Sequence, residues 1–270
     1  MASRSPLILA VANQKGGVGK TTTSVNLAAS LAAAEKRTLL VDCDPQGNAS
    51  SGVGVRPRTV ERSIYDVLIG RCTAAEATQP TEIETLFVLP ATQDLVAAEL
   101  ELVDASDRAT RLKSALSACA KDYDFVVLDC PPSLGILTLN ALTAAQRVLV
   151  PLQCEYYALE GLTHLMATID RVKNAFNPSL SVEGIVLTMF DGRNSLTHQV
   201  ASEVKAHFHV FNAIIPRNVK LSEAPSHGKP ALLYDVQSKG AQGYLSLARE
   251  LIEHISDPAR SRTRASKTAP

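Results

Sequence analysis

The stretch LILAVANQKGGVGKTTTSVNLAASL, residues 7–31, narrows most sharply what this 270-residue chain can become. A short apolar run leads into a glycine-rich turn, and the turn leads into an Ala/Leu/Ser pattern that reads as a helix. Gly16, Gly17 and Gly19 let the backbone approach an anion and adopt positive φ where that is needed. Successive N–H groups can then converge on a phosphate, and the helix opening near Lys20 presents its positive end to the same point. Lys20 can reach the β- and γ-phosphates of a nucleotide, and the Thr21 hydroxyl can ligate Mg²⁺. Two features depart from the common phosphate-loop pattern G-x-x-x-x-G-K-[ST]. Gln14 stands where a glycine is expected, and a second lysine, Lys15, precedes the glycines.

The remainder of the chain suits such a loop. Apolar runs at 7–12, 38–42, 86–90, 125–129, 147–151, 184–189 and 212–216 are short and unbroken, as strands buried on both faces are. Helical patterns at 20–34, 108–120, 158–176 and 241–255 alternate with them, and a further helix is expected near 61–69. Strand–helix alternation predicts the α/β class: a doubly wound, mostly parallel sheet with helices on both faces. We expect one domain over 1–256, followed by a disordered basic tail over 257–270, DPARSRTRASKTAP.

Composition excludes several classes. Net charge is zero, so any nucleic-acid binding has to come from a local patch. The five cysteines, Cys43, Cys72, Cys119, Cys130 and Cys154, form no C-x-x-C pair, which argues against a disulfide framework or a zinc site built on them. The N-terminus carries no signal-peptide pattern, and no apolar segment reaches the roughly 18 residues that span a bilayer. A cytoplasmic location is expected.

Carboxylates appear where a nucleotide engine needs them. RTLLVDCDPQGNAS, residues 37–50, ends a strand with Asp42 and Asp44, two apart and so on one face of an extended segment. Asp44 also precedes Pro45 in a turn-rich run and could serve only to form that turn. YDFVVLDCPPSLG, residues 123–135, is an apolar strand ending in Asp129 and looks like a Walker B motif, with Pro131 and Pro132 stiffening the loop that follows.

The motif K-G-G-x-G-K-T at residues 15–21 is the deviant Walker A motif, and the chain resembles the ParA/MinD superfamily of dimeric P-loop ATPases, within it the chromosomal ParA or Soj group. NQKGGVGKTT, DCDPQGN, DCPPS and PRNVKLSEAPSHGKP carry the resemblance, which covers roughly residues 5–256. It implies ATP/ADP and Mg²⁺ as cofactors, with slow basal hydrolysis. Lys15 would be the signature lysine that contacts the partner subunit's ATP, while Lys20 serves its own nucleotide; the catalytic set is Lys15, Lys20 and Asp44. Gly16, Gly17, Val18, Gly19, Thr21 and Thr22 complete the phosphate site, with Pro216 and Arg217 near the base. Asp44 would position the attacking water. Thr21 would bind Mg²⁺, and Asp129 and Asp42 would support it through water. The implied partners are a second copy of the chain in an ATP-dependent homodimer, non-specific DNA and a ParB-like centromere-binding protein. The implied DNA residues are Arg193, Arg217 and Lys220, with nucleoid association as the consequence.

Three other readings compete. A MinD-like membrane regulator needs a terminal amphipathic helix, yet no large apolar residue follows Ile255. An iron–sulfur carrier needs paired cysteines, and Cys130 beside Asp129 is the only tempting one. A metabolic phosphotransferase or ligase would show fast turnover with an acceptor.

Overall fold

The computed structural model describes residues 6–256; the expected tail at 257–270 lies outside the described residues. In chain order the elements are β1 Leu7–Val11, α1 Lys20–Ala33, β2 Thr38–Asp42, α2 Asn48–Gly52, α3 Ile64–Leu68, α4 Ala74–Ala77, β3 Gln79–Pro80, β4 Leu86–Leu89, α5 Leu95–Glu101 and α6 Arg111–Cys119. They continue with β5 Phe125–Asp129, α7 Ile136–Ala144, β6 Arg147–Gln153, α8 Ala158–Ala175, β7 Ser181–Phe190, α9 Ser195–His207, β8 Val210–Pro216, α10 Val219–Glu223, α11 Ala231–Tyr234 and α12 Lys239–Ser256.

The strands form one eight-stranded sheet in the order β3-β4-β2-β5-β1-β6-β7-β8. Only the two-residue edge strand β3 runs antiparallel; every other pairing is parallel. Successive strand residues face opposite sides, so Leu9 and Val11 enter one apolar cluster while Ala10 and Ala12 enter the other. The first cluster collects α1 and α12, through residues such as Leu27, Leu31, Tyr244 and Leu247. The second collects α3 and α5 through α9, through Leu68, Leu95, Leu116, Leu142, Leu165 and Val204. Helices therefore cover both faces, as the unbroken apolar runs require.

This winding positions the site. Val11 and Asp42 both pair in register with Asp129, so β1, β2 and β5 end side by side. The glycine-rich loop leaves β1 between β5 and β6, at the carboxyl edge where open α/β sheets bind ligands. Asp42 and Asp129 are thereby delivered next to the loop.

Candidate active site

The loop after β1 is anchored at each end to a distant strand. Asn13 donates from Nδ2 to the Pro151 carbonyl at 2.7 Å and accepts from the Lys15 N–H at 3.0 Å, bracing the turn against β6. The Thr188 hydroxyl on β7 donates to the Val18 carbonyl at 2.8 Å. Gly17 and Gly19 have φ of 74° and 87°, the left-handed region, and α1 starts directly from Gly19. A side chain with a Cβ is strained at both positions, so glycine is required there for the loop to turn its N–H groups inward.

The two lysines are placed differently. Lys20 is buried, its Nζ donates to the Lys15 carbonyl at 3.0 Å, and its neighbours include Asp129 and Asp44. Burial holds its ammonium below the ordinary lysine range, and Asp129 draws it partly back. Lys15 stands at the rim, its side chain 37% exposed, in an ion pair with Glu155 of the segment between β6 and α8. Glu155 had no separate signal in the sequence.

Asp129 is fully buried. The Ser24 hydroxyl, on α1, donates to its Oδ1 at 2.7 Å, while Oδ2 has no hydrogen-bond partner among the described residues and the Thr21 hydroxyl lies beside the carboxylate. Burial first, and then the charge of Asp42, push the Asp129 carboxyl above the usual carboxylate range. An orphaned carboxylate oxygen next to a threonine hydroxyl, backed by a second carboxylate, is the donor chemistry that a hard cation completes. The residues present therefore fit Mg²⁺.

Asp42 is held otherwise than its expected metal role alone would suggest. Its Oδ2 accepts from the Ser50 N–H at 2.8 Å and the Ser50 hydroxyl at 2.7 Å, and its Oδ1 accepts from the Asp44 N–H at 3.2 Å. Any contact with a metal shell has to share oxygens with these bonds. Asp44 does form the turn that its setting allowed, since its Oδ1 accepts from the Gln46 N–H at 3.0 Å. It is also close enough to Lys20, Asp42 and Asp129 to act on their charges. Both readings of Asp44 are thus compatible with its position.

Beyond the loop, Gly17, Gly19 and Thr22 line a 160 Å³ cavity with Thr188, Met189, Ile215, Pro216, Arg217, Asn218, Leu221 and Tyr244. Pro216 and Arg217, expected near the base, both line this cavity. Met189 and Tyr244 were not anticipated; Met189 has φ of 48°, a strained conformation for a side chain of its size.

The expected DNA cations are exposed or half-buried, and two of them are paired with carboxylates. Arg193 binds Asp191 at 3.1 Å, and Lys220 binds Glu223 at 2.9 Å. Arg217 is exposed and lies near Asp191, so it shares the Arg193 neighbourhood as well as the cavity wall. All five cysteines are free thiols; Cys130 is buried, and burial pushes its thiol up, away from the thiolate a cluster ligand requires. No helix among the described residues is long and apolar enough to cross a membrane.

The family described as "AAA domain" matches residues 7–182. The chromosome partitioning protein ParA of Myxococcus xanthus is 58% identical over 248 residues, covering 91% of this chain and 88% of that protein. The chain belongs to the ParA/Soj family of chromosome-partitioning ATPases. The sporulation initiation inhibitor protein Soj of Bacillus subtilis is 54% identical, with 90% of this chain and 97% of the relative covered. Among solved structures, cobyrinic acid a,c-diamide synthase from Mycobacterium smegmatis with bound ADP and magnesium superposes with a TM-score of 0.82 at 38% identity, over 93% of this chain and 96% of that one. The cell division ATPase MinD of Pyrococcus furiosus superposes with a TM-score of 0.77 at 25% identity, over 92% and 98%. These likenesses confirm the expected fold class and make the chain a P-loop ATPase.

Proposed function

We propose that this chain segregates DNA as a nucleotide-gated switch: the ATP-bound form pairs into a homodimer that holds DNA without regard to sequence, and hydrolysis, stimulated by a ParB-like partner, releases it. The observation that carries the reading is the division of labour between two lysines. Lys20 is buried against Asp129, inside its own site, whereas Lys15 stands half-exposed at the rim. A cation at the rim suits a charge that comes from outside the subunit, and two facing triphosphates need such cations in trans.

Each residue has a place in this scheme. The loop N–H groups of 16–22 and the Lys20 ammonium bind the phosphates, while the cavity lined by Pro216 and Arg217 takes the base. Thr21 would ligate Mg²⁺ directly, with Asp129 and Asp42 supporting it through water; the ion would supply neutralisation of the phosphate charge. Asp44 orients the attacking water, its carboxylate steadied by the turn to Gln46. Hydrolysis is slow without the partner because the dimer has to outlast its encounter with DNA.

For DNA, Arg193, Arg217 and Lys220 supply phosphate contacts, doubled by dimerisation on one surface. Their present acidic partners, Asp191 and Glu223, are exposed enough that phosphate can compete for the cations. Charge reversal at Arg193 and Lys220 together should abolish DNA retention in ATP and leave ATP-driven dimerisation intact. Unchanged binding with an unchanged salt slope would place the DNA surface elsewhere. The relatives named for chromosome partitioning favour this reading over a membrane-bound one.

A further inference from the structure

A cluster of imidazoles and carboxylates lies at the opposite edge of the sheet from the nucleotide loop. His209 immediately precedes β8, and Glu250 and His254 stand one turn apart on α12. One ligand atom from each of the three falls within 4.8 Å of the others. His254 Nε2 is 3.8 Å from Glu250 Oε1, and its Nδ1 is 3.8 Å from Glu183 Oε1 on β7. We propose that His209, Glu250 and His254 form a binding site for one late first-row divalent cation, zinc foremost, that clips α12 to the edge strand β8.

The spacing is close to what a metal imposes. Ligand bonds of about 2.1 Å at tetrahedral angles put neighbouring ligand atoms roughly 3.4 Å apart. Closing from 3.8 Å for the Glu250–His254 pair, and from no more than 4.8 Å for the pairs with His209, asks for side-chain rotations. The Glu250–His254 pair uses the i,i+4 spacing that puts two ligands on one helix face. Imidazole nitrogen selects zinc, copper or nickel over Mg²⁺, so the site does not compete with the nucleotide's metal. Three protein ligands leave a fourth position for water or for a further side chain.

The surroundings hold the ligands in place. Glu183 faces the far nitrogen of His254, the carboxylate–histidine–metal arrangement that fixes tautomer and ring direction. Arg147 in turn anchors Glu183, Nε to Oε2, at 3.4 Å. The Glu250 carboxylate accepts from the Asn212 and Ala213 N–H groups at 2.9–3.1 Å, which aims it across the start of β8. Phe211 stacks on His254 with ring centroids 5.3 Å apart. Gly184 makes room for His209, because a Cβ there would sit 2.7 Å from the ring's Cδ2. Glu183, Glu250 and Arg147 sum to a net negative setting, which a cation offsets.

The test uses the untagged chain, stripped with chelator and free of nucleotide. Zn²⁺ alone is titrated in competition with a chromophoric chelator, and Co²⁺ serves as a spectroscopic stand-in. The expected result is one Zn²⁺ per chain and a Co²⁺ visible spectrum of tetrahedral nitrogen/oxygen ligation. His209→Gln and His254→Asn, made separately, should each weaken Zn²⁺ binding by more than ~10-fold, and Glu183→Gln by about 10-fold. His207→Gln, on the neighbouring helix, should change nothing. Zn²⁺ should raise the melting temperature of the unaltered chain and not that of His209→Gln. Failure of the unaltered chain to take up one equivalent, or a Co²⁺ spectrum without tetrahedral character, overturns the proposal without reference to any variant. Equal Zn²⁺ affinity in a folded His209→Gln variant overturns it as well.

Discussion

At the scale of single residues, the active site stores an electrostatic conflict. Asp129 and Asp42 are adjacent in register and fully buried, and both carboxyls are pushed up, mainly by burial. Burial thus works against the charge that the proposed role of Asp129 at Mg²⁺ requires. Asp129→Asn should raise the stability of the metal-free chain by roughly 1–3 kcal/mol in chemical denaturation while abolishing Mg²⁺-dependent ATP hydrolysis. A less stable variant would show that the carboxylate is structurally required. Thr188→Val removes the hydroxyl that satisfies the Val18 carbonyl. It should cost about 1–3 kcal/mol and weaken ATP binding measurably by calorimetry; an unaltered affinity would show that the loop holds its shape unaided. Lys20 and the glycines were legible in the sequence because phosphate chemistry dictates their spacing, Asp129 because it ends an apolar strand, and Lys15 through the resemblance to the family. Ser50, Glu155 and Thr188 were not, because each acts through a partner that only the folded chain brings near, 140 residues away for Glu155 and 170 for Thr188.

At the scale of elements, α12 links packing to the nucleotide cavity. It lies on α1, where Tyr244 and Thr23 share a hydroxyl–hydroxyl bond of 3.1 Å. Gly240 in its first turn faces Leu221, and a Cβ there would come within 2.6 Å of Leu221 Cγ. Leu221 lines the cavity. Gly240→Ala should therefore displace Leu221, destabilise the chain by about 1–3 kcal/mol and lower ATP affinity together; denaturation curves with nucleotide titrations decide whether the two effects travel jointly. The sequence disclosed seven of the eight strands because each is an unbroken apolar run. Seven helices, α2, α4, α5, α7, α9, α10 and α11, have no counterpart among the helical patterns read from the sequence. α7 reads ILTLNALTA and is buried almost all round, so it shows no polar–apolar period to detect. α3 was expected at 61–69 and spans 64–68, its start fixed by reciprocal capping between Ser63 and Asp66. β7 runs from Ser181, three residues before the expected start, because Ser181 and Val182 already pair with Arg147 and Val148 of β6.

At the scale of the whole molecule, the right-handed crossover rule allowed a doubly wound sheet to be foreseen, but not its strand order, which depends on which neighbours each strand meets. The proposed ATP-held dimer rests on charge at the mouth of the site, where Lys15 stands. With Asp44→Ala, hydrolysis should fail and the ATP dimer should persist; scattering-coupled chromatography should show monomer in ADP and a long-lived dimer in ATP. The most direct test of the central claim is the same sizing measurement on Lys15→Ala, with ATP binding monitored in parallel. The account predicts that the variant still binds ATP through Lys20 but stays monomeric. A Lys15→Ala chain that dimerises with ATP as readily as the unaltered one would contradict it.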